Sequence, residues 1–281
     1  MIVDNLIREG SKILKEKNIP SYEIDSELLL SKVINKDRVF ILTNGNYIVS
    51  SKKVNDYLNV ISRRKKHEPL AYITKKREFW SLDFKVDHNV LIPRPETETI
   101  VEKVVKKFKD KNNLMILDVG TGSGCILLSI LKELTKSRGI GIDSSSKTLN
   151  IAKKNSKVLN LVHRAKFKHC DIDNFNFGNY DVIVSNPPYI CSHRIKYLSE
   201  GVKNFEPRLA LDGGNGGLEA INKVIVKARK LLKVRGHLII ECENEQLRKV
   251  IEILDKNHFK FTERLFDYSK NIRGIMSTKL I

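Results

Sequence analysis

The chain lacks any apolar run long enough to cross a bilayer: CILLSIL (125–131) and HLII (237–240) fall far short of the roughly 20 residues a helical span requires. The opening stretch MIVDNLIREGSK also lacks the uninterrupted apolar segment of an export signal, because Asp4, Arg8 and Glu9 interrupt it. The expectation is a cytoplasmic protein. Cysteine is scarce. Cys125, Cys170, Cys191 and Cys242 are widely separated, with no C-x-x-C pair and no Cys/His spacing of a zinc site. That excludes a disulfide scaffold and leaves reduced structural thiols. No internal repeat and no low-complexity segment is present. Acidic residues are in the minority, 33 against 51 Lys and Arg, for a net charge of +18. Such a balance attracts nucleic acid or an acidic protein. The positive residues are mostly Lys and scattered, however, and the Lys, Asn and Ile bias of an AT-rich genome produces the same balance; that reading is preferred.

What is present is an ordinary globular composition, with 41% hydrophobic residues in 281, enough for one large domain or two. Residues 1–72 read as helices. Apolar positions recur at helical spacing in LIREGSKIL, in SYEIDSELLLSKVI after Pro20 and in SKKVNDYLNVISRRKK. The run Arg63-Arg64-Lys65-Lys66 suits the carbonyl end of the last helix better than it suits a nucleic-acid patch. Over 73–90 the period changes to two in REFWSLDFKVDHNV, the pattern of a short hairpin joining two domains. At Pro95, with Glu96 and Glu98 in its first turn, a new helix begins. Beyond it, strands near 114–119, 138–142, 166–170, 180–185 and 236–242 alternate with helices near 124–136, 146–158, 218–231 and 244–257. Alternation of this kind gives an α/β, mostly parallel sheet covered on both faces. The closing FKFTERLFDYSKNIRGIMSTKL reads as an edge hairpin antiparallel to the rest, so the catalytic domain is expected over 91–281 with a seven-stranded sheet.

The motif MILDVGTGSGCILLSIL sets Gly120, Gly122 and Gly124, with Thr121 and Ser123 between them, at the turn from the first parallel strand to its helix. Glycine there lets a ligand approach bare backbone. The spacing is not the G-x-G-x-x-G that seats a pyrophosphate, and Asp118 just upstream would repel phosphate. A cationic ligand suits that acidic rim, and S-adenosylmethionine carries a sulfonium and an ammonium group. Asp143 ends the next strand, where a carboxylate accepts the two hydroxyls of a ribose. Asp171 follows the third strand and is placed to bond an adenine amino group, with Ile172 against the ring. Their combination at successive strand ends points to a Rossmann-like class I S-adenosylmethionine-dependent methyltransferase fold.

The fourth strand ends in Asn186-Pro187-Pro188-Tyr189. Proline stops strand pairing, so this tetrapeptide sits at the strand end and faces the same crevice. If Asn186 Oδ1 and the Pro188 carbonyl accept the N–H bonds of a planar amine, its nitrogen is held and its electron density rises as positive charge develops. Tyr189 is expected to stack on that plane. Adenine, cytosine and glutamine amino groups satisfy this geometry equally.

The segments RRKKHEPLAYI, EFWSLDFKV, LIPRPETE, LDVGTGSGCI, SNPPYI, FEPRLALDGGNGGL and FDYSKNIRG, in that order, resemble the release factor glutamine methyltransferase family (PrmC/HemK) over nearly the whole chain. The resemblance implies methylation of the glutamine side-chain amide in the Gly-Gly-Gln motif of class I peptide chain release factors, with S-adenosylmethionine as donor and no metal. It implies that residues 1–72 grip the protein substrate, that Gly120 to Gly124, Asp143, Ile172 and Asn186 line the cofactor site, and that Asn186 to Tyr189 hold the glutamine. Arg94, Glu98 and the segment Glu206 to Gly214 are expected near the entrance. No membrane, no stable nucleic-acid complex and a monomer are expected. Two places depart from the family pattern: ECENEQ, with Cys242 and Glu243, follows the fifth strand, and Ile172 replaces an aromatic. The alternative is a nucleic-acid adenine amino-methyltransferase. A duplex enzyme must flip its base and recognise flanking sequence, and no helix-turn-helix or zinc signature is found in the helical segment.

Overall fold

The N-terminal helices form because their apolar residues fall on one stripe that only a neighbouring helix can cover. In the computed structural model, which describes residues 1–281, these are α1 (Val3–Lys15), α2 (Tyr22–Ile34), α3 (Arg38–Thr43), α4 (Ser51–Arg64) and α5 (Leu70–Thr74). Leu6, Leu14, Leu29, Leu30, Tyr57 and Ile61 make their core. Gly10 lets α1 close on α4, since a Cβ there would collide with the Tyr57 hydroxyl. Two charges of the basic run are consumed internally: Arg64 Nε donates to Asp25 at 2.6 Å and Arg63 Nε to Glu68 at 2.8 Å. The unit comprises Met1–Lys76 together with Ser199–Phe205. The short α3 and α5 carry too few residues to show a period and were not anticipated.

The second unit spans Arg77–Leu198 and Glu206–Ile281. Its hairpin pairs β1 (Lys76–Phe79) with β2 (Leu82–Lys85) through Trp80 and Ser81, both at a positive φ of 53°. Phe79 and Phe84 meet edge to face at 6.1 Å and are buried in this unit's core. After a 3₁₀ turn at Pro95–Thr97 come α6 (Glu98–Phe108), β3 (Met115–Val119), α7 (Cys125–Glu133), β4 (Arg138–Asp143), α8 (Ser146–Val158), β5 (Ala165–His169) and β6 (Tyr180–Ser185). They are followed by α9 (Glu200–Phe205, in the first unit), α10 (Glu219–Leu231), β7 (Leu232–Glu241), α11 (Leu247–Lys256), β8 (Phe259–Phe266) and β9 (Ile272–Lys279).

The seven strands run in the order β5-β4-β3-β6-β7-β9-β8. β5, β4, β3, β6 and β7 pair in parallel. β9 is antiparallel to both β7 and β8, so of the edge hairpin only β9 opposes the sheet, a correction to the expectation that both strands do. Leu117, Val119, Val182 and Val184 are buried because helices cover both faces. Strand order reverses between β3 and β6, and the carboxyl ends of β3, β4 and β6 open onto one crevice there, where such sheets bind ligands. No helix is long and apolar enough to cross a membrane.

Candidate active site

The crevice has a volume of about 920 Å³ and is lined by Gly120, Gly122, Asp143, Asp171, Ile172, Asn186, Pro187 and Pro188, among others. Gly120 and Gly122 take φ of 70° and 57°, and a Cβ on Gly120 would meet no atom within 4 Å, so this backbone borders open space. Asp143 is fixed by two backbone donors, Gly122 N to Oδ2 at 3.1 Å and Ser145 N to Oδ1 at 2.9 Å. Each oxygen keeps a lone pair for an outside hydroxyl. Burial raises its pKa, opposed by those N–H groups. Asp171 is exposed at the far end, with Oδ1 accepting Asp173 N at 2.9 Å, and Ile172 packs against the core beside it.

Three residues of the glycine loop lie elsewhere than expected. Thr121 and Ser123 are buried, and a Cβ on Gly124 would press on Leu128, Ala152 and Phe167. Asp118 is fully buried behind the loop and forms no acidic rim. It is an interior residue of β3, and in a sheet covered on both faces such a side chain enters a core. Its Oδ2 accepts the Thr121 hydroxyl at 2.6 Å while Oδ1 has no partner, and burial pushes its pKa up to about 7. A second buried support is Asn155. It bonds Lys85 N at 2.8 Å, Lys85 O at 3.1 Å and Ser123 O at 2.8 Å, tying the hairpin to the glycine loop.

On the opposite wall, Asn186 Nδ2 donates to Thr97 Oγ1 at 3.1 Å, and the Thr97 hydroxyl donates to Glu241 Oε2 at 2.8 Å. Asn186 and Pro188 line the crevice, and the Pro188 carbonyl lies against Gly213, where a Cβ would collide with it. Tyr189 lies outside the lining: its hydroxyl donates to Glu241 Oε1 at 3.1 Å and its ring packs on the core, so the expected stacking surface is turned away. Burial, then the Glu241 charge, raise the Tyr189 pKa and keep the phenol protonated. The Tyr189 carbonyl is held by Gln246 Nε2 at 2.9 Å, which also bonds Gly217 O at 2.9 Å. Gly217 passes so close that a Cβ would collide with that carbonyl.

Pro207, Arg208, Leu209, Asp212, Gly213 and Gly214 form the outer lip. Arg94 donates to buried Glu206 at 2.5 Å, whose other oxygen accepts Ile92 N at 3.1 Å, fixing the base of this lip. Glu98 instead accepts Trp80 N at 2.8 Å and braces the hairpin turn. Cys242 is buried in the core, and Glu243 caps the following turn and pairs with Arg194 at 2.7 Å. Asn155 carried no local signal, and Glu241 and Gln246 were marked only as the two ends of ECENEQ. The cue for Thr97 was its place inside PRPETE.

A PrmC N-terminal domain model matches residues 5–74, and a methyltransferase domain model matches residues 110–273. Among curated relatives, the release factor glutamine methyltransferase of Clostridium acetobutylicum is 37% identical over 281 residues, 99% of this chain and 98% of that one. That of Caulobacter vibrioides is 38% identical over 270 residues, 95% and 92% of the two chains. Among solved structures, a methyltransferase from Pyrococcus furiosus superposes with a TM-score of 0.56 at 17% identity, over 78% of this chain and 99% of that one. The ribosomal protein L11 methylase of Lactobacillus delbrueckii subsp. bulgaricus gives 0.52 at 18%, over 70% and 84%. At these identities the solved structures establish the fold alone.

Proposed function

Because the chain belongs to the release factor glutamine methyltransferase family, we propose that the crevice at the switch point methylates a release factor glutamine, with Asn186 and Pro188 holding the acceptor amide. The protein is an S-adenosylmethionine-dependent protein glutamine methyltransferase. Its residues suit that donor on two counts. Gly120 and Gly122 leave bare backbone beside open space, and Asp143 retains acceptor capacity for a diol. In this reading Gly120, Gly122 and Asp143 hold the donor, Asp171 and Ile172 face its adenine, and Asp118 with Thr121, Ser123 and Gly124 supports the loop. Bound there, S-adenosylmethionine supplies an electrophilic methyl group on a positively charged sulfur.

The chain's part is to make a poor nucleophile attack. An amide nitrogen is weak because its lone pair is shared with the carbonyl. Asn186 Oδ1 and the Pro188 carbonyl accept its two N–H bonds, fix its plane and favour the positive charge that develops on it. Orientation alone contributes about 7–11 kcal/mol in favourable cases. Pro187 and Pro188 hold these acceptors on backbone of fixed φ. The acceptor we assign is the glutamine of the Gly-Gly-Gln motif of class I release factors, gripped by the helical unit, which places the enzyme in the cytoplasm where those factors act. An adenine substrate is the less economical reading, since Arg63 and Arg64 are engaged by Glu68 and Asp25.

The observation that carries the assignment is the orientation of Asn186: Nδ2 is spent on Thr97, leaving an oxygen for a donor substrate. Incubation with labelled donor tests it against a release factor, the same factor with its Gly-Gly-Gln glutamine replaced, and duplex DNA. Label should enter the intact factor only. Label in DNA or in the substituted factor would overturn the proposal.

A further inference from the structure

An asparagine amide has two unlike ends, and only one of them serves the substrate. A hydroxyl has a single proton. That of Thr97 is directed to Glu241 Oε2 at 2.8 Å, so only lone pairs face Asn186, and the amide must turn its Nδ2 toward them. Thr97 is 2% exposed and Glu241 3%, which leaves no room for water to replace either partner. The other Glu241 oxygen takes the Tyr189 hydroxyl at 3.1 Å. In its ionised form the buried Glu241 carboxylate therefore receives a proton from each side of the Asn186–Tyr189 corner.

We infer that Glu241, acting through Thr97, is a positioning residue that locks the Asn186 amide with its oxygen toward the crevice and so makes the site select an acceptor carrying –NH₂ over one carrying a carboxylate. The inference deepens the proposed glutamine methylation and rests on it. With the relay intact, a glutamate in place of the substrate glutamine meets oxygen against oxygen. With the relay broken, Asn186 is free to rotate and offer Nδ2 to that glutamate. Specificity then has a structural origin outside the residues that touch the substrate. Neither Thr97 nor Glu241 lines the crevice.

The test compares Thr97→Val, which keeps the shape and removes the hydroxyl, with Thr97→Ser, which restores it, and with Glu241→Gln, which puts an NH₂ where two donors converge. The first readout is independent of catalysis: the ¹⁵N side-chain amide signal of Asn186, assigned by its loss in Asn186→Ala, followed for hydrogen exchange. Slow exchange in the wild type and in Thr97→Ser, and fast exchange in Thr97→Val, are expected. The second readout is methyl transfer to a release factor. We expect kcat to fall about 10²-fold in Thr97→Val, as for misplacement of a reacting group, with donor affinity retained and most of the loss recovered in Thr97→Ser. In parallel, the affinity ratio between release factors with Gln and with Glu at the target position should shrink about tenfold. If Thr97→Val and Glu241→Gln both fold cooperatively yet keep wild-type exchange and the wild-type ratio, the relay is overturned. If the wild type itself leaves release factors unmethylated, the proposed function falls, and the exchange measurement still decides the relay.

Discussion

The two walls of the crevice are held by different means. On the wall we assign to the donor, Asp143 and Asp171 are braced by backbone N–H groups of Gly122, Ser145 and Asp173. On the wall we assign to the acceptor, Asn186 is braced by a side-chain relay through Thr97 to Glu241. A carboxylate has equivalent oxygens, so backbone donors fix it without choosing between them. An amide has a wrong way round, and only a partner of defined polarity excludes it. Both walls also stand on a buried carboxylate. Glu241 has each oxygen satisfied by a hydroxyl, whereas Asp118 keeps Oδ1 unpaired.

The sharpest way to break the comparison is Asn186→Ala. It should lower single-turnover methyl transfer about 10²–10³-fold, the scale for losing one positioned partner of a developing charge, while calorimetric donor affinity is unchanged. Full turnover would reduce the proline corner to architecture. Asp143→Ala should do the reverse. Losing a charged acceptor for hydroxyls weakens donor binding about tenfold to a hundredfold, and kcat at saturating donor persists. A comparable loss of kcat at saturation would mean that the walls do not divide the work.

The same division explains what the sequence revealed. The glycine turn, Asp143 and the Asn186 corner were legible because each is a local feature at a strand end, where position in the alternation already says which way it faces. Thr97 acts on Glu241 across 144 positions, Asn186 on Thr97 across 89 and Gln246 on Tyr189 across 57. No local pattern marks such pairs. Asp118 was misplaced because its nearness to the glycine loop in sequence suggested a rim, while the pairing of β3 with both β4 and β6 puts it inside the sheet. The Tyr189 ring was misplaced for the opposite reason: past a proline corner, alternation no longer predicts side-chain direction. The β8–β9 hairpin was legible as a pair, but its insertion order depends on which strand finds β7.

The relay carries a stability cost with a definite pH dependence. Burial pushes the Glu241 pKa up to about 7, above its unfolded value. Between those two pKa values the folded chain holds a proton that the unfolded chain has lost, so the contribution of this group falls as pH rises and levels off above the folded pKa. Glu241→Gln removes that titration. Its melting temperature relative to wild type should therefore be higher by a few degrees at pH 8 than at pH 5. A difference independent of pH would mean that Glu241 is ionised in the fold throughout, and that the acceptor wall carries no such penalty.

The smallest effect is expected at the exposed end of the donor wall. Asp171→Ala removes one acceptor that already serves Asp173 N, in a loop otherwise held by Lys227, whose Nζ donates to Asp173 O at 2.7 Å and to Asn176 at 2.9 Å. Because that anchor remains, the loop keeps its place, and what is lost is the capping bond to Asp173 N and one solvent-exposed contact to the donor. Donor affinity should drop about threefold, the scale of one ordinary hydrogen bond, and kcat should hold. Competition binding with adenosine, whose affinity should fall by the same factor, checks that the loss is at the base. A loss as large as that of Asp143→Ala would move the anchor of the donor wall from the diol to the adenine and invert the order of these two positions.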